Sequence, residues 1–274
     1  MEFKIITSLQ NPKIKDIVRL RDSKGREETG LTLIDGVREI RRAIDAGVSF
    51  TELFLCREVL GDYEEFDLVK KFLLMRKPVY EAPAGVFNKI IYGNRNEGVL
   101  AVCKQPKKNL EAINLSKQPL IIIVESVEKP GNLGAILRSA DAAGVDAVLI
   151  TDTKTDLYNP NVIRSSIGTV FNVSSVVTNN EGALKFIKSN NIKIFAASPE
   201  ASMLYVEADF RKPTAIILGS EEAGLSIFWK DHADYKMKIP MRGKGDSLNV
   251  SSTAAILVYE ALRQRGKYKK GLEN

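Results

Sequence analysis

The chain has 274 residues, of which 44% are hydrophobic and 27% are charged, and its formal net charge is +6 at pH 7. These values are typical of a soluble globular protein with one large domain or two of ordinary size. The amino terminus has no apolar signal region, and the apolar runs fall far short of the ~18 residues of a membrane span, so we predict a cytoplasmic protein without a membrane partner. Because the chain has only Cys56, Cys103 and His232, a structural zinc cluster or a histidine-dependent triad is nearly excluded, and we predict no metal site.

The amino-terminal part of the chain is rich in basic side chains and has the pattern of a small α/β module. Residues 36–47, GVREIRRAIDAG, have helical spacing, while FTELFLC and GVLAVC are typical of strands. A basic segment is compatible with a polyanionic partner, although many such segments are only solvated surface. The residues that we predict to bind RNA are Lys13, Lys15, Arg19, Arg21, Lys24, Arg26 and Arg38.

A polar segment with two prolines, residues 103–119, indicates a linker that divides the chain near residue 110. Short apolar runs then recur at intervals that would accommodate a helix, which favours a parallel sheet covered on both faces. We therefore predict an α/β fold for the carboxyl-terminal half. The apolar runs are residues 119–125, 146–151, 169–177, 192–198, 214–220 and 235–240.

Three glycine-bearing stretches directly follow predicted strands, where open parallel sheets bind their ligands. They are EKPGNLGAILRSADAAG at 128–144, ILGSEEAGLS at 217–226, and IPMRGKGDSLNVSSTAAILVYEAL at 239–262. The first stretch lacks the third glycine of a dinucleotide fingerprint and the lysine of a phosphate-binding loop. The third stretch predicts a long, mostly apolar helix that begins near Ser247 and is buried, and we expect it to lie at a subunit interface.

In their order and spacing, these stretches resemble the three signature motifs of the SpoU, or TrmH-type, RNA ribose methyltransferases of the SPOUT superfamily. The segment SLQNPKIKDIVRLRDSKGREETGLTLIDG similarly resembles the ribosomal-protein-L30e-like module that precedes the catalytic domain in many relatives. Those relatives commonly carry Glu-Gly where this chain has Asp35-Gly36. The resemblance implies an RNA-binding domain at 1–110 with a linker to about 119, and a catalytic domain at 120–274 that contains a trefoil knot.

The resemblance also implies S-adenosylmethionine as methyl donor and assigns roles to particular residues. Gly219, Ile239 and Leu248 match positions that line the family's donor pocket, and we add their neighbours Leu218 and Met241. The residues that match the family's catalytic positions are Asn132, Arg138, Glu221, Ser247 and Asn249.

Structural explanations exist for several of these residues. Asn132 and Ser247 could each cap a helix, and Arg138 could be a solvated helix residue. The resemblance implies that Arg138 helps to deprotonate the ribose hydroxyl, but a guanidinium stays protonated in proteins, so the proton acceptor is left open. Arg138 could instead clamp the RNA phosphate beside the target ribose. The apolar residues of the donor pocket could simply pack at the edge of the sheet.

We therefore predict a homodimeric 2′-O-methyltransferase that joins through its carboxyl-terminal domain and modifies structured RNA, with ribosomal RNA favoured over transfer RNA. One alternative is a relative that binds RNA without methylating it, against which the complete set of five catalytic matches argues. The other is a nucleotide-dependent oxidoreductase, which would need a glycine fingerprint that the chain lacks.

Overall fold

The computed structural model describes residues 3–60, 63–92 and 97–266. Its strands are β1 (Lys4–Ile5), β2 (Leu31–Asp35), β3 (Phe50–Leu55), β4 (Val79–Glu81), β5 (Val99–Lys104), β6 (Leu120–Glu125), β7 (Ala147–Thr151), β8 (Ser175–Thr178), β9 (Lys193–Ala197), β10 (Met203–Leu204), β11 (Thr214–Leu218) and β12 (Tyr235–Lys238). Its helices are α1 (Pro12–Arg19), α2 (Ser23–Thr29), α3 (Val37–Asp45), α4 (Tyr63–Leu74), α5 (Ala84–Ile90), α6 (Pro130–Ala142), α7 (Pro160–Ser165), α8 (Asn180–Ser189), α9 (Ile227–His232) and α10 (Val250–Gln264). None of the helices in these ranges is long and apolar enough to cross a membrane.

The chain forms two compact units, and the first of them is discontinuous in sequence. It comprises Met1–Lys107 together with Tyr158–Asn172, whereas the second comprises Lys108–Leu157 and Val173–Asn274. The first division lies close to the predicted boundary near residue 110. The assignment of an RNA-binding and a catalytic function to two domains stays a prediction, because compactness does not test function.

A five-stranded sheet with the order β1-β4-β3-β5-β2 organises the first unit. The predicted helix at 36–47 is confirmed as α3, whose residues Val37, Ile40 and Ala43 are buried, and the two predicted strands are confirmed as β3 and β5. Apolar residues of the sheet, α1 and α5 form one continuous core. The hydrophobic periodicity of the sequence therefore predicts α3, β3 and β5 correctly.

The apolar run 169–177 predicts a strand, and that prediction is wrong over residues 169–174, which overlap the segment 158–172 of the first unit. Thr169–Phe171 is a single 3-10 turn, and the strand of this region starts only at Ser175. Two side chains of the same unit hold the segment: the Thr32 hydroxyl donates to the Tyr158 carbonyl at 2.6 Å, and Arg42 donates to the Ile167 carbonyl at 2.7 Å. These contacts join residues more than a hundred positions apart, which local sequence patterns cannot reveal.

The second unit contains a seven-stranded sheet with the order β10-β12-β9-β11-β6-β7-β8, and every pairing in it is parallel. All residues of the central strands β6, β7 and β11 are buried, so both faces of the sheet are covered, as predicted. Apolar residues of α8 and α9 pack against one of these faces. The predicted α/β class is confirmed, while the trefoil knot stays a prediction.

The carboxyl-terminal end of α10 is fixed by one arginine. Arg265 donates to the carbonyls of Gln118, Pro119, Phe210 and Lys212, at 2.6 to 3.2 Å. A planar guanidinium can satisfy several carbonyls at once in a way that an ammonium cannot. This arginine therefore anchors α10, whose other end carries residues of the candidate site.

Candidate active site

The carboxyl ends of neighbouring parallel strands bring the glycine-bearing stretches together. Strand β11 pairs with β6 on one side and β9 on the other, and β9 also pairs with β12. The first stretch follows β6, the second follows β11 and the third follows β12. Because ligands of open parallel sheets bind at this edge, the topology defines one candidate site.

A cavity of about 570 Å³ lies at this edge of the sheet. It is lined by residues of the segments 197–200, 218–225, 237–241 and 246–250, and by Lys230, Thr253 and Leu257. The structure thus brings together all five residues that the sequence predicts for donor binding: Leu218, Gly219, Ile239, Met241 and Leu248. A concave site of this size suits a small organic ligand.

The loop that follows β11 folds back on its own start. Ser220 and Gly224 exchange two backbone hydrogen bonds, each of 3.1 Å, and Gly224 has a φ of +64°. A Cβ atom at Gly219 would lie 2.2 Å from the Gly224 carbonyl carbon, so glycine is required for this closure. The backbone of the loop therefore requires glycine at this position before any ligand approaches it.

Three of the predicted catalytic residues form a connected chain of hydrogen bonds beside this loop. The Asn132 amide donates to the Glu221 carboxylate, and the Asn249 Nδ2 atom donates to Asn132 Oδ1 at 3.2 Å. Asn249 Oδ1 in turn accepts from the backbone N–H of Ser251 at 2.9 Å. Because each amide has one acceptor and one donor group, this arrangement fixes the orientation of both asparagines.

The surroundings of Glu221 include a basic side chain that sequence analysis did not single out. The ammonium of Lys129, the residue before α6, lies 3.9 Å from Glu221 Oε2. The pair is largely exposed on the lysine side, so solvent weakens the attraction. Lys129 thus adds one positive charge next to the cluster of Asn132, Glu221 and Asn249.

Two capping predictions are wrong. Helix α6 starts at Pro130, so Asn132 lies inside its first turn and is free to bond to Glu221 instead. Helix α10 starts at Val250, and Asn249 rather than Ser247 is its N-cap residue. Serine and asparagine are both favourable caps, so residue type alone could not decide between the two positions.

The other two predicted catalytic residues are not part of the hydrogen-bonded chain. Ser247 is exposed and lines the cavity. Arg138 is exposed on α6 and forms no hydrogen bond or ion pair with the described residues. Both positions are therefore accessible to a bound molecule.

The predicted RNA-binding residues of the first unit differ in exposure. Lys15, Arg19, Lys24 and Arg38 are exposed, and the Arg21 guanidinium lies 5.7 Å from the Tyr92 ring centroid. The Lys13 Nζ atom lies 2.7 Å from Glu52 Oε2. Burial acts to lower the pKa of Lys13, but the hydrogen bond to Glu52 and the charge of Glu52 outweigh burial, so the pKa of Lys13 is raised.

The prediction for Arg26 is wrong, because its side chain is only 1% exposed. The Arg26 guanidinium donates to the carbonyls of Leu20 and Arg21 at 2.9 and 2.8 Å. It therefore stabilises the turn between α1 and α2 and cannot reach an RNA phosphate. Only tertiary structure distinguishes it from the exposed arginines nearby.

One further part of the cavity lining is a loop that the sequence did not predict as part of the site. Ser198, Pro199 and Glu200 follow β9, and Glu200 lies 4.0 Å from Lys230 of α9. The available signal was that an apolar run ends at residue 198, like the runs before the other three loops. The described residues contain no cluster of three or more His, Cys, Asp or Glu side chains that could hold a metal ion.

Comparison with known proteins identifies the family. Residues 119–259 match the model of the SpoU rRNA Methylase family, and residues 11–101 match the MRM3-like substrate binding domain. Since the first match spans half of the chain, the protein belongs to the SpoU rRNA methylase family.

Individual relatives resemble nearly the whole chain. The 23S rRNA (guanosine(2553)-2′-O)-methyltransferase RlmP of Bacillus subtilis is 28% identical, over 93% of this chain and 98% of that protein. A crystal structure of an RNA 2′-O ribose methyltransferase superposes with a TM-score of 0.85 at 41% identity, covering 95% of this chain and 99% of that one. The AdoMet-bound rRNA methyltransferase of Sinorhizobium meliloti superposes with a TM-score of 0.87 at 28% identity, with 95% and 98% covered.

We predict that Gly219→Ala abolishes binding of the ligand in this cavity, because the added methyl group collides with the Gly224 backbone and opens the loop. The matched control is Gly243→Ala. A Cβ added at Gly243 would have no atom within 4 Å, and the φ of Gly243 lies outside the left-handed region. Calorimetric titration with S-adenosylmethionine measures both variants. Tight binding by Gly219→Ala would contradict the closure seen in the structure.

Proposed function

We propose that this protein transfers a methyl group from S-adenosylmethionine to the 2′-hydroxyl of a ribose in ribosomal RNA. The observation that carries the proposal is the position of the donor-sized cavity next to the hydrogen-bonded Asn132, Glu221 and Asn249. The family of the chain and the printed activities of its relatives support the same reaction. In that reaction an O–C bond forms, the sulfonium C–S bond breaks so that a neutral thioether leaves, and the hydroxyl proton is released.

The charge of the cavity suits this donor. Its lining includes four carboxylates, from Glu200, Glu221, Glu222 and Asp246, against the ammonium groups of Lys230 and Lys238. When bound, S-adenosylmethionine supplies a methyl group on a positively charged sulfonium. An excess of carboxylates favours such a ligand and disfavours the anionic pyrophosphate of a dinucleotide, which argues against an oxidoreductase.

Backbone atoms at Gly219, Ile239 and Leu248, together with the side chains of Leu218 and Met241, would hold the adenosyl group. The exposed N–H and C=O groups of these loops can read the ring nitrogens and the exocyclic amine of the base. The closed loop between Gly219 and Gly224 is preorganised for this task, which lowers the entropy that binding must overcome.

Around the reacting hydroxyl, we assign positioning to the hydrogen-bonded side chains of Asn132 and Asn249, and phosphate binding to Arg138. Asn132 and Asn249 have fixed amide orientations and can orient a ribose hydroxyl. Ser247 is placed to contact either the donor or the RNA from the cavity lining. The exposed Arg138 guanidinium suits bidentate recognition of the phosphate beside the target ribose.

The first unit would supply affinity for structured RNA. Its exposed residues Lys15, Arg19, Lys24 and Arg38 can neutralise phosphates, and the match to a substrate-binding domain model supports this role.

A homodimer through α10 completes the proposed assembly, which would operate in the cytoplasm. Within the second unit α10 buries Val250, Ala254, Leu257, Val258 and Ala261. The opposite side keeps apolar atoms at least partly exposed, at Ala255, Ile256, Leu262 and Tyr259. A second copy of the same helix would cover that side. The trefoil knot implied by family resemblance would enclose the donor site.

The alternative, an RNA-binding relative without transferase activity, is separated from this proposal by a transfer assay. We predict that the parent protein transfers labelled methyl groups to ribosomal RNA and that Arg138→Ala abolishes transfer while binding S-adenosylmethionine with parental affinity. Arg138→Lys should fail nearly as badly, because an ammonium cannot reproduce the bidentate fork. Single-turnover transfer and calorimetry measure the two properties. Parental transfer by Arg138→Ala would refute this role, and absence of transfer by the parent protein would favour the alternative.

We predict that replacing Lys15, Lys24 and Arg38 together by glutamate weakens RNA binding by about a hundredfold or more at low salt and flattens its salt dependence. The control carries the same charge change in the second unit, at Lys185, Lys212 and Lys236, which are also exposed. Filter binding over a range of salt concentrations measures both proteins. An equal loss of affinity in the two triple variants would show that only net charge matters.

We predict that sedimentation at micromolar concentration gives about twice the mass of one chain. Tyr259→Asp should shift the protein towards monomer, because it places a charge on the exposed side of α10. Val206→Asp is the control, since Val206 is equally exposed, at 50% against 52%, but lies outside α10. A parent protein that is fully active as a monomer would overturn the dimer proposal.

A further inference from the structure

A buried carboxylate at the carboxyl end of β6 has no role in the reaction described above. Glu125 is the last residue of β6 and is only 2% exposed. Its Oε2 atom accepts from the backbone N–H of Ser226 at 2.8 Å, and its Oε1 atom accepts from Asn180 Nδ2 at 3.1 Å. No ion pair involves Glu125 in the described part of the chain. A buried carboxylate that depends on hydrogen bonds alone needs both of them.

The side chain of Asn180 extends this arrangement to two further elements. Asn180 is the first residue of α8, and its Nδ2 atom also donates to Asp152, which follows β7, at 2.8 Å. Its Oδ1 atom accepts from the indole N–H of Trp229 at 2.7 Å, and Trp229 is fully buried in α9. Asn180 therefore uses both donors and its acceptor, which fixes its orientation.

These contacts hold one end of the loop that closes the proposed donor cavity, and strand pairing holds the other end. The loop leaves β11 after Leu218, which pairs with Val124, the residue just before Glu125. It ends at Ser226, whose N–H bonds to Glu125, and α9 then begins. The loop thus starts and finishes beside the same end of β6, and the carboxylate holds its second end there.

Backbone strain beside the network indicates that the arrangement is maintained against a cost. Ser126 and Asp152, the residues that directly follow β6 and β7, have φ angles of 55° and 46°. Residues other than glycine adopt this left-handed region uncommonly, aspartate more readily than serine. The Asp152 carboxylate accepts from Asn180, and the Ser126 N–H donates to the Thr151 carbonyl at 2.9 Å, so hydrogen bonds hold both positions.

We propose that Glu125 is a positioning residue for the methyl donor, acting through Ser226 and Asn180 to hold loop 219–226 in its donor-binding conformation. This inference rests on the proposed function of the cavity. Glu125 does not line the cavity itself, so its effect on the donor is indirect. Its partners are all donors, and replacement of the carboxylate by an amide would turn one acceptor into a donor that faces another donor.

The direct test is Glu125→Gln. We expect its affinity for S-adenosylmethionine to fall at least about tenfold, as for other lost hydrogen bonds to buried charged groups. The turnover number at saturating donor should stay within about threefold of the parent value, because bound donor restores the loop conformation that places Glu221 beside Asn132. Calorimetry gives the affinity, and steady-state transfer gives the split between KM and kcat.

The matched control is Asp146→Asn. Asp146 accepts from the backbone N–H groups of Ser116 and Leu120, at 2.7 and 2.8 Å, at the opposite end of the same sheet. Asp146→Asn should lower the melting temperature of the protein but leave its affinity for S-adenosylmethionine unchanged. If donor affinity falls equally in both variants, Glu125 has only a general structural role and the proposal is wrong.

A second pair of variants keeps the test decisive if Glu125→Gln does not fold. Ser226 has a φ of −62°, which suits proline, and Ser226→Pro removes the N–H that bonds to Glu125. Ser226→Ala keeps that N–H and loses only the hydroxyl cap of α9. We expect weakened donor binding in Ser226→Pro alone. Parental affinity in Glu125→Gln or Ser226→Pro refutes the positioning role only, whereas a parent protein that does not bind S-adenosylmethionine refutes the proposed function as well.

Discussion

The loop after β11 closes through a close contact between Gly219 and Gly224, and the geometry of the whole site follows from this closure. With a Cβ position only 2.2 Å from the Gly224 carbonyl carbon, the loop after β11 can close only if residue 219 has no side chain. Closure places Leu218 and Gly219 in the wall of the cavity and directs Glu221 towards Asn132. One backbone contact thereby couples the proposed donor pocket to the proposed reacting groups.

The parallel sheet explains why residues from distant parts of the sequence meet here. Strands β6, β11, β9 and β12 are neighbours, and each ends at the same edge, so the loops that follow them are adjacent. Asn132 and Asn249 are 117 positions apart, yet their side chains hydrogen-bond. Hydrogen-bonded amides of fixed orientation keep polar groups in place without the reorganisation that mobile side chains or water would need.

The sequence predicts the α/β class, most strands and the members of the cavity, because these follow from local apolar runs and from turns after strands. It does not predict the packing of residues 158–172 with the first unit, which depends on long-range contacts such as Thr32 with Tyr158. It also misassigns Arg26 as an exposed RNA contact, and Asn132 and Ser247 as helix caps. Whether an arginine is buried, or which of two polar residues caps a helix, depends on tertiary structure and small energy differences.

In the proposed function, S-adenosylmethionine occupies the cavity formed by the loops at the carboxyl edge of the second sheet. The most direct measurement is a titration of the isotope-labelled protein with the donor, followed by backbone amide chemical shifts. We expect the largest changes within 219–225, 239–241 and 246–250, which are three of the segments that line the cavity. Saturable changes confined to the first unit, with none in these three segments, would contradict it.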